Sequence, residues 1–148
     1  MKQELDELLC KKYPKMMVNR DKSMMETCMC WGFDCGDGWF PILDQLMGNI
    51  QHHIDWRNKK SEVVPQVTLD QVKEKFGTLR FYYTGGDDEI SGMVRMAESM
   101  SGVMCEECSA PAETHGPGWI RTICEPCEEA LEVKRAKDMA EYENKTSQ

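Results

Sequence analysis

The sequence predicts an α+β domain followed by a small metal-stapled ribbon, and three observations carry that prediction. Ile42, Leu43, Leu46, Met47, Ile50 and Ile54 recur at spacings of three and four after Pro41, the stripe of an amphipathic helix. The run Thr78–Thr84 alternates Leu79, Phe81 and Tyr83 with Arg80 and Tyr82, the period of a half-buried strand. Cys105, Cys108, Cys124 and Cys127 read C-x2-C, fifteen residues, C-x2-C, the spacing of a zinc ribbon. The expected organisation is an α+β core over residues 1–104, with a small β-hairpin or sheet packed with helices. A four-cysteine zinc-ribbon module with a C-terminal helix follows over 105–148.

Taken in order, residues 2–13 read as a helix with Leu5, Leu8 and Leu9 on one stripe, ended by Pro14. Residues 15–30 carry five methionines without a period, which suits an irregular segment packed by flexible side chains. Trp31–Phe40 is dense in glycine, aspartate and aromatic residues. It reads as a tight turn into the next helix, or as a binding loop in which Asp34 and Asp37 face a cation or a basic partner.

The helix after Pro41 should run to about residue 56. His52 and His53 are adjacent, so they point in different directions and form no two-histidine metal pair; solvent-facing or satisfied core positions are expected. Residues 57–65, RNKKSEVVP, form a polar connection that tolerates insertion.

Residues 66–75 read as the first strand of a hairpin turning at Gly77. Leu69, Val72 and Phe76 also fit a helix, and that alternative stays open. Gly85-Gly86 ends the second strand, and Asp87 or Asp88 caps a helix whose stripe (Ile90, Met93, Val94, Ala97, Met100, Met104) leads into Cys105. Residues 128–143 are charged and helix-prone, with a frayed tail, NKTSQ. Trp31, Trp39, Phe76, Phe81 and the helix stripes are the expected core.

The four C-terminal cysteines suit Zn²⁺ because each C-x2-C turn aims two thiolates at one point, and two such turns make a tetrahedral cage. A fully thiolate site is closed, so the zinc is structural rather than catalytic. Two prolines and two glycines between the pairs suit a loop or hairpin, with Trp119, Ile120 and Ile123 as an apolar patch under the metal and His115 as an alternative ligand. Two disulfides, or four free thiols, are the competing readings. The charged start MKQELDELLC carries no signal-peptide run, so a reducing compartment is expected. Cys10, Cys28, Cys30 and Cys35 form a less regular group; C-x-C-x4-C matches no strong ligand template, and a second metal there is left open.

Twenty-six acids against eighteen bases give a net charge of −8, which disfavours extended nucleic acid as a partner. No apolar run reaches the ~18 residues of a membrane span. The charge is uneven: residues 26–56 come to −5, residues 57–86 to +3 and residues 105–130 to −5. The basic stretch supplies Lys73, Lys75, Arg80 and Tyr82 as candidate ligand-binding residues, with Trp39 as a further one. On a strand Arg80 and Tyr82 share a face and suit a phosphate beside a base.

The segments WGFDCGDGW, IQHHIDW and VKEKFGTLRFYYTGGDDEISGMVRMAESM, followed by CEEC and GWIRTIC, together resemble a group of small zinc-ribbon-containing proteins encoded by tailed bacteriophages. The resemblance covers roughly residues 13–127. Relatives carry a longer insertion after the IQHHIDW helix, and some place His at the last metal position. The resemblance implies a bacterial host cytoplasm as the working compartment and supplies no activity.

Phosphate-loop, H-E-x-x-H, G-x-S-x-G and dinucleotide fingerprints are absent. The first expectation is therefore a non-catalytic phage accessory protein that binds a host protein, such as a defence component. The alternative is a nucleotide or nucleic-acid binder around Arg80, for example one that sequesters a signalling nucleotide. A third reading is an enzyme built on Asp34, Asp37 and His52 or His53.

Overall fold

The computed structural model describes residues 1–60 and 62–146. Helix α1 (Gln3–Lys12) opens the chain and buries Leu9 and Asp6. Turns then carry the chain through the methionine-rich segment, where Met16, Met17 and Met29 are buried without regular secondary structure around the first two. One internal pair holds this irregular stretch. The Asp6 carboxylate accepts from Arg20 Nη2 at 3.0 Å and from the Phe33 backbone N–H at 2.9 Å, while Arg20 Nη1 donates to the carbonyls of Met29 and Cys30. Gly32 lies at φ +74°, and a side chain there would strike Asp6.

Strand β1 (Phe33–Asp34) follows, then a 3₁₀ turn (Asp37–Trp39) into helix α2 (Phe40–Lys59), which buries Ile42, Leu43, Leu46, Met47, Ile50, His53 and Ile54. Strands β2 (Thr68–Lys75) and β3 (Thr78–Thr84) form the hairpin, and helix α3 (Asp88–Ser101) comes next. The sheet order is β1-β2-β3, with β1 parallel to β2 and β2 antiparallel to β3. The core joins Leu69, Val72, Leu79 and Phe81 of the sheet to the inner faces of α2 and α3.

The open alternative over 69–76 resolves as strand. A register shift between Leu69 and Gln71 explains the helical appearance: the bulge changes strand parity, so Leu69 and Val72, three apart, both face the core. The outer edge of β3 is covered by α3, with the Leu79 N–H donating to Ser101 Oγ at 2.8 Å and the Phe81 N–H to Glu98 Oε1 at 2.9 Å. Asp87 caps α3, accepting from the Ile90 N–H at 3.0 Å, and binds the buried His53 Nε2 at 2.8 Å; His52 is exposed.

Several expectations need correction. Trp31 and Phe76 are not core residues, being 69% and 67% exposed. Trp31 ends the 3₁₀ turn Met29–Trp31 just before the left-handed Gly32, and Phe76 is the first residue of a two-residue turn closed by Lys75 opposite Thr78. The 41–56 helix begins at Phe40 and continues to Lys59, and the helix leading to Cys105 stops at Ser101. The C-terminal helix α4 (Glu125–Thr146) takes in part of the tail expected to fray, whose last two residues, 147–148, lie outside the described residues. No helix among the described residues is long and apolar enough to cross a membrane.

Candidate metal centre

After α3 the chain enters the first knuckle, Cys105–Cys108. Its tight turn is closed by the Ser109 N–H donating to the Cys105 carbonyl at 3.0 Å, and the Cys105 N–H donates to the Ala110 carbonyl at 2.7 Å. Ser109 takes φ +68° to let the chain reverse. Strands β4 (Glu113–His115) and β5 (Arg121–Ile123) then form a short antiparallel hairpin that delivers Cys124. The second knuckle runs into the first turn of α4, where the Cys127 and Glu128 N–H groups both donate to the Cys124 carbonyl. The cysteines thus meet at a helix N-terminus, whose dipole favours anionic sulfur.

The four sulfurs lie within 4.8 Å of one another, and Cys108 and Cys124 are 3.6 Å apart. This cluster could hold a metal ion. Burial acts to raise the Cys105 thiol, but the backbone N–H groups of Cys124, Cys108 and Glu107 outweigh it and bring it down from 9.0 to about 7. Cys127 is pushed up by its hydrogen bond with Cys108 and by burial. Four sulfurs this close cannot all ionise without a cation between them. Among the described residues this is the one cluster of at least three Cys, His, Asp or Glu ligand atoms.

His115 is not part of the cluster; its Nε2 lies 3.3 Å from the Ile123 carbonyl. The patch expected under the metal reduces to Ile123, which is 2% exposed, while Trp119 is 76% exposed and Ile120 lies at the surface. Cys10 Sγ contacts Asp6, Cys30 Sγ donates to the Thr27 carbonyl, Cys28 is exposed and Cys35 is buried, so these four do not assemble a second site. The Asp34–Asp37–histidine grouping does not assemble either. Asp37 binds the Lys2 N–H and ammonium, and His53 is bonded to Asp87.

The glycine-rich loop has a structural role that composition did not reveal: it seats the first knuckle. The Gly38 N–H donates to the Glu106 carbonyl at 2.7 Å, the Gly36 N–H to Glu106 Oε1 at 2.8 Å, and Ser109 Oγ to the Gly38 carbonyl at 2.7 Å. A Cβ on Gly38 would stand 2.3 Å from the Cys105 carbonyl oxygen. Trp39, a candidate ligand contact in the sequence, is instead fully buried, its Nε1–H donating to the Met104 carbonyl at 2.9 Å. A ring closed off in this way presents no face to a ligand.

Lys73, Lys75, Arg80 and Tyr82 lie on the outer side of the sheet, opposite the core-facing Val72, Leu79 and Phe81. The register sets Lys73 against Arg80 and Gln71 against Tyr82. A second surface has no counterpart in the sequence pattern. Between α2 and α3 runs a groove of about 570 Å³ whose walls include Leu46, Trp56, Met93, Met96 and Met100. Periodicity places Met93 and Met100 on the core-facing stripe, and nothing in it separates a methionine that fills the core from one that lines a groove. Models of known protein families, curated proteins and solved structures were all compared with the chain, and none matches it.

Proposed function

We propose that the protein is a non-catalytic binding module, stapled by one structural zinc ion, that takes a helix of a partner protein in the groove between α2 and α3. The groove is the observation that carries this reading. No Lys, Arg, Asp or Glu lines it, and Met96, Met100 and Trp56 are 64%, 43% and 46% exposed along it. A channel between two packed helices suits the helix-in-groove mode of recognition, and methionine side chains adapt to varied apolar partners. The net charge of −8 around an uncharged groove favours a partner helix whose polar face is basic. Zinc is the ion that four thiolates at this spacing suit best, and the closed cage supports a structural role. The likeness to phage-encoded proteins implies a partner from the bacterial host, with a host defence component as the candidate class.

The test is site-specific photo-crosslinking in bacterial cells, with the crosslinker replacing Met96 in the groove or Lys137 on α4. The reading expects one host protein joined through position 96, absent from position 137, and lost when Met100→Glu is added to a chain that retains its circular dichroism. No groove-specific product, or the same product from both positions, overturns it.

A further inference from the structure

The outer face of the β2–β3 hairpin joins cations and aromatic rings in a way the groove reading does not use. Lys73 pairs with Arg80 across the two strands, Tyr82 follows on the same face, and Lys75 stands at its end. In a chain of net charge −8, none of these cations is neutralised: among the described residues Lys73, Lys75 and Arg80 have no carboxylate partner. Arg80 Nη1 donates only to Thr78 Oγ1 at 2.6 Å and to the Leu79 carbonyl at 2.8 Å. Asp34 is the register neighbour of Lys73 on β1 but forms no ion pair with it.

Phe76 adds an independent observation. It occupies the first position of the two-residue turn with φ +53°, beside Gly77 at φ +80°. Turns with two positive φ values favour Asn, Asp or Gly at that position, and a bulky residue there is strained. The strain is not offset by burial, because the ring is 67% exposed, with the Lys75 ammonium 5.5 Å from its centre. An exposed aromatic ring held in a strained turn beside cations that have no carboxylate partner points to a ligand.

We infer that this face binds nucleotide phosphates through Lys73, Lys75 and Arg80 and stacks bases on Tyr82 and Phe76. From Tyr82 to Thr78 β3 spans about 13 Å at ~3.3 Å per residue, and Phe76 lies beyond that end in the turn, so the two rings stand further apart than one nucleotide reaches. The favoured ligand is therefore a short single strand of nucleic acid. The inference stands independently of the α2–α3 groove.

The test uses the full zinc-loaded chain and fluorescence anisotropy with labelled oligothymidylate and oligouridylate of about twelve nucleotides, and with labelled thymidine monophosphate. The oligomers should bind at low salt, with log K falling against log [salt] at a slope near −2, about 0.7 for each of three phosphates. Arg80→Gln should make that slope shallower by about 0.7. Phe76→Asn should weaken binding about fivefold or more with no fall in thermal midpoint, since Asn suits the turn. A monophosphate that binds as tightly as the oligomers supports the face as a nucleotide site and assigns it to the free nucleotide. Absence of binding by all three probes, or binding that Arg80→Gln and Phe76→Asn leave unchanged, overturns the inference.

Discussion

Gly38→Ala tests the seating of the metal knuckle on the glycine loop. The added methyl group would stand 2.3 Å from the Cys105 carbonyl oxygen and 2.7 Å from both the Cys108 nitrogen and the Glu106 carbonyl carbon. All three are backbone atoms, so no rotamer change relieves them. Moving from 2.3 Å to an ordinary 3.4 Å contact requires a retreat of about 1 Å. That retreat stretches both 2.7 Å bonds at Gly38, to the Glu106 carbonyl and from Ser109 Oγ, past hydrogen-bond range. Two lost bonds at about 1 kcal/mol each, with overpacking strain of about 1–3 kcal/mol, give a loss of about 3–5 kcal/mol. Urea unfolding of the zinc-loaded protein measures it, and release of zinc to a chelator should quicken in parallel. Gly92→Ala is the control: in α3 the new methyl group finds only Arg95 Nη2, at 4.0 Å, and a gain of about 0.4–1 kcal/mol is expected. If Gly38→Ala unfolds within about 0.5 kcal/mol of the wild type, the seating argument fails.

Three other outcomes follow from the same structure. Native mass spectrometry should find one zinc per chain, absent after Cys124→Ser, and amide exchange in β4 and β5 should speed up when the ion is removed. Asp6→Ala leaves the Arg20 guanidinium without its carboxylate beside the Phe33 N–H, and should cost about 3 kcal/mol in urea unfolding, with Asp6→Asn milder. The Asp87 carboxyl, which burial would raise, is held below its usual value by His53 and the Ile90 N–H; Asp44 is likewise held down, against burial, by Lys12 and Tyr13. Depressed carboxyls contribute stability that is present above their unfolded values near ~3.9 and is lost as pH falls through the folded ones. Stability should therefore decline on the acid side below about pH 4, and Asp87→Asn, which keeps the helix cap, should flatten that decline.

The helices and the four-cysteine cluster were legible because their signals are local. The Ile42–Ile54 stripe, the Asp87 cap and the two C-x2-C turns each depend on residues within a few positions of one another. The hairpin was legible only in part, since the bulge at Asp70 sets Leu69 and Val72 three apart and so imitates a helix. Side-chain burial was least legible where backbone geometry decides it. Trp31 and Trp39 flank the same loop, yet one ring points outward before Gly32 and the other is sealed beneath Met104. The purpose of Gly36 and Gly38 depends on a knuckle some seventy residues away, a contact with no local signature.

That distant contact makes the four-cysteine ribbon a keystone rather than an appendage. Besides the glycine loop, Thr122 Oγ1 donates to the Gly77 carbonyl at the β2–β3 turn, and Thr114 Oγ1 donates to the Gly102 carbonyl just past α3. Met104, immediately before the first metal cysteine, both lines the α2–α3 groove and accepts the Trp39 bond. One end of the groove and the turn that presents Phe76 are therefore both fixed by the ribbon. The apolar core of the helices and sheet includes no residue of the ribbon, whereas these two surfaces depend on it for an anchor. Removal of the proposed zinc should accordingly weaken the binding proposed at either surface before it unfolds the domain, a separation that a merely appended ribbon would not produce.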